Sequence, residues 1–137
     1  MKKNLYTAAF VGFMFLFTLA CGSGSSADVT LLTPEQFAEA MATDSMAMVI
    51  DVRTPEEYAQ GHISGAKLMN VSEEGAFRSA VDTLDEAHTY YIYCRSGRRS
   101  RKAAAIMQKR GLRVVDMKGG YNAWQGRDSM DVSVDAE

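Results

Sequence analysis

The sequence predicts a single α/β domain in which a mainly parallel sheet is covered by helices on both faces. Three observations lead there. Short apolar runs of strand character alternate with helical segments along most of the chain, and that alternation requires crossover connections. Twice, at Thr33-Pro34-Glu35-Gln36 and Thr54-Pro55-Glu56-Glu57, the sequence carries the pattern that opens a helix. The chain has 137 residues, 47% hydrophobic and 23% charged, an ordinary globular composition with room for one domain.

The first residues are set apart from that domain. Met1-Lys2-Lys3 is basic, Leu5 through Ala20 is almost wholly apolar, and the sequence then turns to Cys21-Gly22-Ser23-Gly24-Ser25-Ser26. A charged start, an apolar middle and small residues at a cleavage point describe an export signal over residues 1–20. The apolar stretch is short for a membrane span of about 20 residues. Leu19-Ala20-Cys21-Gly22 resembles the lipobox of bacterial lipoproteins, which implies acylation of Cys21 and a periplasmic, membrane-anchored protein. Thr18 stands where that family usually has Leu, and plain cleavage after Ala20 or Ala27 is the competing outcome. Residues 21–28 read as a flexible tether, 29–126 as the folded domain, and 127–137 as a loose acidic tail. Loss of residues 1–20 removes Lys2 and Lys3 and no acid, so the net charge moves from −2 to −4. Nucleic-acid binding has no electrostatic footprint in such a chain.

Within the domain, Thr33 opens a helix with Phe37, Ala40 and Met41 on one face. Ala47–Ile50 is an apolar run ending in Asp51, as a buried strand would. Thr54 opens a short helix that Gly61 stops. Residues 67–71 form a second plausible strand, and Ser72 is the expected cap of a helix carrying Phe77, Val81 and Leu84. Thr89–Tyr93, three of whose five residues are tyrosine, is strongly strand-prone. A helix then runs through Arg110 to Gly111, a strand covers Leu112–Asp116, and Gly119-Gly120 precedes a last helix around Ala123 and Trp124.

The chemistry falls on the segment after the tyrosine-rich strand. Cys94 follows a strand and precedes a helix start, and ligands of open α/β sheets bind at the carboxyl ends of strands. Unpaired N–H groups at a helix start form an anion site and lower a thiol's pKa, as do neighbouring cations. Arg95, Arg98, Arg99, Arg101 and Lys102 crowd the next eight positions, and Gly97 lets the backbone curl around a bound group. A lone Cys after a strand is often only a small buried hydrophobe. Yet cations at a helix N-terminus oppose its dipole at about 0.3–1 kcal/mol each, which favours a negative centre among them. Two Cys and two His are too few for a Cys/His zinc site, and the chemistry calls for no metal or cofactor.

Four blocks, Asp51-Val52-Arg53-Thr54-Pro55-Glu56-Glu57-Tyr58, Gly61-His62-Ile63-Ser64-Gly65-Ala66, Cys94-Arg95-Ser96-Gly97-Arg98-Arg99-Ser100 and Gly119-Gly120-Tyr121-Asn122-Ala123-Trp124, together resemble a single-domain rhodanese over residues 31–126. The resemblance implies a rhodanese-like doubly wound α/β fold. It also implies sulfur transfer from thiosulfate or a similar anionic donor to a thiol or cyanide through a persulfide on Cys94. Arg95, Ser96, Gly97, Arg98, Arg99 and Ser100 would bind the anion, with Asp51 and Arg53 in support. The loop from Cys94 to Arg99 has six residues. Related phosphatases and arsenate reductases use Cys-x5-Arg, which would put Arg at position 100, where Ser stands. A catalytically weak binding module is the other alternative, and the intact Cys94 speaks against it. Thr54 is most simply an N-cap, His62 a structural hydrogen-bonding residue, and Trp124 core packing.

Overall fold

The computed structural model describes residues 29–127. The export signal, the tether, Cys21 and the acidic stretch from 128 onward lie outside the described residues. Five strands form one sheet: β1 (Thr30–Leu32), β2 (Ala47–Asp51), β3 (Lys67–Leu68), β4 (Thr89–Tyr93) and β5 (Arg113–Met117). Their order is β1-β5-β4-β2-β3, and every neighbouring pair is parallel. Helices α1 (Pro34–Thr43), α2 (Pro55–Ala59), α3 (Glu74–Val81), α4 (Arg98–Lys109) and α5 (Gly120–Arg127) make the crossovers.

Two apolar layers show which helix covers which face. On one face Ile92 and Val114 pack with Phe77 and Val81 of α3 and Ala103, Ala104 and Met107 of α4. On the other, Tyr91, Tyr93 and Val115 meet Phe37 of α1 and Trp124 of α5. The alternation of Tyr91 and Tyr93 against Tyr90 and Ile92 between the layers is the period-2 rule of a strand buried on both sides. Both Thr-Pro tetrads form reciprocal capping boxes: the Thr33 hydroxyl accepts from Gln36 N–H while Gln36 Oε1 accepts from Thr33 N–H, and Thr54 and Glu57 do the same.

Several boundaries differ from expectation, each for a local reason. β1 has three residues and no sequence pattern long enough to announce it. The strand expected over 67–71 is regular only at Lys67–Leu68, although Met69 N–H and Val71 N–H still donate to the carbonyls of Asp51 and Val52. Ser72 does not cap α3. Its N–H is taken by Asn70 Oδ1 at 3.0 Å, and the helix starts after Glu73 with no side-chain cap. Leu84 lies beyond the end of α3, in a turn closed by its N–H on Val81 O. Arg127 belongs to α5, with its guanidinium stacked on Trp124 at 3.7 Å.

At the carboxyl ends of the central strands sits a buried ion pair. Asp51 is fully buried and Arg53 is 3% exposed, with Arg53 Nη2 2.6 Å from Asp51 Oδ2. Arg53 Nη2 also donates to Gly61 O at 2.7 Å, and the guanidinium lies 4.2 Å over the Tyr121 ring. One group thus ties β2, the end of α2 and the start of α5 together. Removing one partner strands a buried charge. Asp51→Ala is expected to cost about 3–5 kcal/mol of unfolding free energy, read from denaturant midpoints, whereas a loss within experimental error would show that the pair is not what fixes this junction.

Candidate active site

Cys94 directly follows β4, and the loop from Cys94 to Gly97 winds back over its side chain into the first turn of α4, which carries Arg98 and Arg99. Gly97 makes the turn at φ +94° in the left-handed region, where L side chains are strained. Its N–H then donates to Cys94 Sγ at 3.1 Å. Ser100 Oγ lies 3.6 Å from the same sulfur. Burial pushes the Cys94 thiol up, but hydrogen bonds from the Ser100 hydroxyl and from the N–H groups of Ser100, Ser96 and Gly97 outweigh it, and the net shift is downward. The sulfur is therefore buried (Cys94 is 1% exposed) yet held below the usual thiol range by the protein's own donors in place of water.

A second element holds the loop in this shape. Tyr121 N–H donates to Cys94 O at 2.7 Å and Asn122 N–H to Arg95 O at 3.0 Å. The first N–H groups of α5, which have no acceptor within the helix, thus satisfy loop carbonyls. Such proximity needs the Gly119-Gly120 pair. A Cβ on Gly120 would stand 2.5 Å from Cys94 O and 2.6 Å from Arg95 C, at φ +62°.

The arginines are distributed differently from the cationic cradle that the sequence evokes. Arg95 and Arg98 are exposed, while Lys102 reaches Glu74 at 2.6 Å. Arg99 is drawn aside into a two-pronged pair with Glu57, both N–O distances being 2.7 Å. It still feels the Cys94 charge. Among the donors that lower the thiol's pKa, peptide groups and a hydroxyl come ahead of any guanidinium. The Asp51–Arg53 pair reaches the loop through Tyr121, whose ring lies under the Arg53 guanidinium and whose N–H donates to Cys94 O. His62 has the structural role expected of it, stacked on Tyr58 with Nδ1 3.0 Å from Tyr58 O.

Two clefts flank the loop. One, about 230 Å³, is bordered by Arg53, Glu57, Arg95, Tyr121 and Asn122; the other, about 310 Å³, by Ser96, Gly97, Arg101, Asp116 and Lys118. Glu57, Tyr121 and Asp116 were not expected at the site. Glu57 was legible only as a capping residue, and Tyr121 only as part of a motif. Asp116 carried one signal, a carboxylate inside the apolar run Val114-Val115-Asp116-Met117. No group of three or more His, Cys, Asp or Glu residues fit to hold a metal occurs among the described residues.

The Glu57–Arg99 pair makes the loop's anchorage pH-dependent. Hydrogen bonding from Arg99 is the main reason the Glu57 carboxyl is lowered to about 2, against a usual value of 4.5. A carboxyl depressed on folding stabilises the fold fully above its unfolded value and loses that contribution as pH falls through the folded one. Between pH 4.5 and about 2, wild type is thus expected to lose more stability than Glu57→Gln in urea unfolding series. Parallel losses in the two proteins would contradict the pairing.

Comparison with known proteins agrees with this fold. The pattern of the rhodanese-like domain family matches residues 33–127. The chain is 33% identical over 111 residues to the thiosulfate sulfurtransferase GlpE of Stutzerimonas stutzeri, covering 80% of this chain and 97% of that protein. It is 31% identical to the putative sulfur carrier protein YrkF of Bacillus subtilis, spanning 77% of this chain but only 56% of the relative. Among solved structures, a rhodanese-related protein from Thermoplasma volcanium superposes with a TM-score of 0.63 at 26% identity, over 72% of this chain and 92% of that one. A rhodanese-like domain protein from Staphylococcus aureus gives 0.62 at 28%, over 70% and 91%. The strand order, the loop that turns back over a buried cysteine, and these likenesses together place the chain in the rhodanese-like domain family.

Proposed function

We propose that the protein is a sulfurtransferase that carries sulfane sulfur as a persulfide on Cys94. The observation that carries this reading is one buried sulfur that accepts the Gly97 N–H at 3.1 Å and has the Ser100 hydroxyl beside it at 3.6 Å, free to turn its proton to an anion. Such a ring of donors favours an anionic sulfur and, after transfer, an anionic persulfide. The thiolate attacks the outer sulfur of thiosulfate, the S–S bond of the donor breaks, and sulfite leaves with the bonding pair. Cyanide or a thiolate then attacks the outer persulfide sulfur and returns Cys94 as thiolate, a two-step exchange with ping-pong kinetics. No oxidant, reductant or cofactor enters either step. The naming of GlpE of Stutzerimonas stutzeri as a thiosulfate sulfurtransferase supports the same substrate class. Phosphate-ester hydrolysis fits less well, because Arg99, the arginine nearest the position that chemistry needs, is engaged by Glu57.

Treatment with thiosulfate is expected to add the mass of one sulfur atom to the peptide containing Cys94, and Cys94→Ser is expected to abolish both the adduct and thiocyanate formation. Aryl-phosphate hydrolysis is measured beside it. Hydrolysis without an adduct would replace this reading with phosphatase chemistry, and neither activity would leave a binding module.

The N-terminal segment adds a location to the proposal: an exported protein held at a membrane by acylated Cys21. Cys21→Ala is expected to move the protein from the membrane fraction to the soluble one. Wild type found only in the soluble fraction would refute the anchor.

A further inference from the structure

Asp116 occupies the carboxyl-end half of β5, underneath the active loop. It is 2% exposed, and its Oδ1 has no hydrogen-bond partner among the described residues. A charged carboxyl in that place is poorly compensated. Its surroundings explain what it faces. Its sheet neighbours are Leu31 on β1 and Ile92 on β4, neither of them charged. From α4 come Ser100, wholly buried, and Arg101; from its own strand end comes Lys118. Across Ser100 lies Cys94, with Ser100 Oγ 3.6 Å from Sγ. Alternation along β5 places the Asp116 side chain on the sheet face that α4 covers, and the Ser100 hydroxyl is the first side-chain group to draw its carboxyl down. The serine therefore stands between two groups that each want a donor when ionised, and it has one hydroxyl proton to give.

We propose that Asp116 is a positioning residue for the Cys94 sulfur, acting through the single hydroxyl proton of Ser100. As a carboxylate, Asp116 accepts that proton's hydrogen bond and draws it away from the sulfur. As a carboxylic acid it donates to Ser100 Oγ, and the serine proton turns to the thiolate. The only species gained or lost is one proton exchanged with solvent at the carboxyl; no sulfur or carbon bond changes. Burial raises the Asp116 carboxyl above its usual range, against the hydrogen bonds of Ser100 and the Met117 N–H and the charge of Arg101. The acid form thus arises at higher pH than for an exposed aspartate. The inference rests on Cys94 as the site's nucleophile, and not on which group the sulfur carries.

The test is the pH profile of Cys94 alkylation by iodoacetamide in the full chain, followed on the Cys94 peptide by mass spectrometry. In Asp116→Asn the amide donates to Ser100 Oγ at every pH, so the apparent thiol pKa is expected to fall by about one unit. Asp116→Leu, similar in size and unable to compete for the proton, is expected to shift it the same way if the amide variant does not fold. In a Ser100→Ala background the Asp116 substitutions are expected to move the profile by less than about a third as much. A shift that persists undiminished without the hydroxyl would mean direct charge repulsion and overturn the relay. No shift, or an upward one, in the single variants would overturn it as well. Thiosulfate adduct formation, measured on the same wild-type sample, keeps the two readings apart. Its absence would sink the sulfur-transfer proposal while leaving the thiol profile to judge Asp116.

Discussion

Peptide N–H groups aimed at one buried sulfur are the constraint from which the rest of the site follows. A thiolate removed from water loses its hydration, and burial alone raises the thiol's pKa. The chain reverses that by bending through Gly97, so that the Gly97 N–H meets Cys94 Sγ at 3.1 Å and the start of α4 supplies Ser100. Because these donors are fixed in the backbone, they need no rearrangement when the sulfur acquires charge, which is the advantage of a preorganised site.

A loop bent this way needs support, and the fold supplies it from two directions. α5 donates Tyr121 N–H and Asn122 N–H to the carbonyls of Cys94 and Arg95, and Gly120 permits that approach. Beneath it, the Asp51–Arg53 pair spans Gly61 and the Tyr121 ring. On the outer side, Glu57 holds Arg99 in a bidentate pair while also closing the capping box of α2. The four blocks that identify the family are therefore one contact network around Cys94, although they are spread from residue 51 to residue 124.

Much of this was legible in the sequence because local chemistry determined it. The two Thr-Pro tetrads cap their helices as read, and the tyrosine-rich run forms the central strand, with side chains alternating into both layers. Cys94 and Gly97 were recognisable because a thiol, a glycine and a cation-rich helix start fall together after a strand, whereas Ser100 was recognisable only through the family resemblance. Less local features were not readable. β1 exists because β5 offers an edge, and α3 begins later than the sequence suggests, with Glu73 and not Ser72 at its N-cap. The positive charge of the loop was visible, but not that Glu57 and Glu74, distant in sequence, would engage Arg99 and Lys102. Asp116 showed only as an acid among valines, since its meaning depends on a serine from another element.

Titration of the Cys94 thiolate by its ultraviolet absorbance, with Cys94→Ser as the blank, bears on this account most directly. A donor-lined sulfur is expected to ionise well below the ~8.5 of a free cysteine. An apparent pKa at or above that value would mean that burial prevails over the loop's hydrogen bonds, and that Cys94 is a packed apolar side chain in place of a nucleophile.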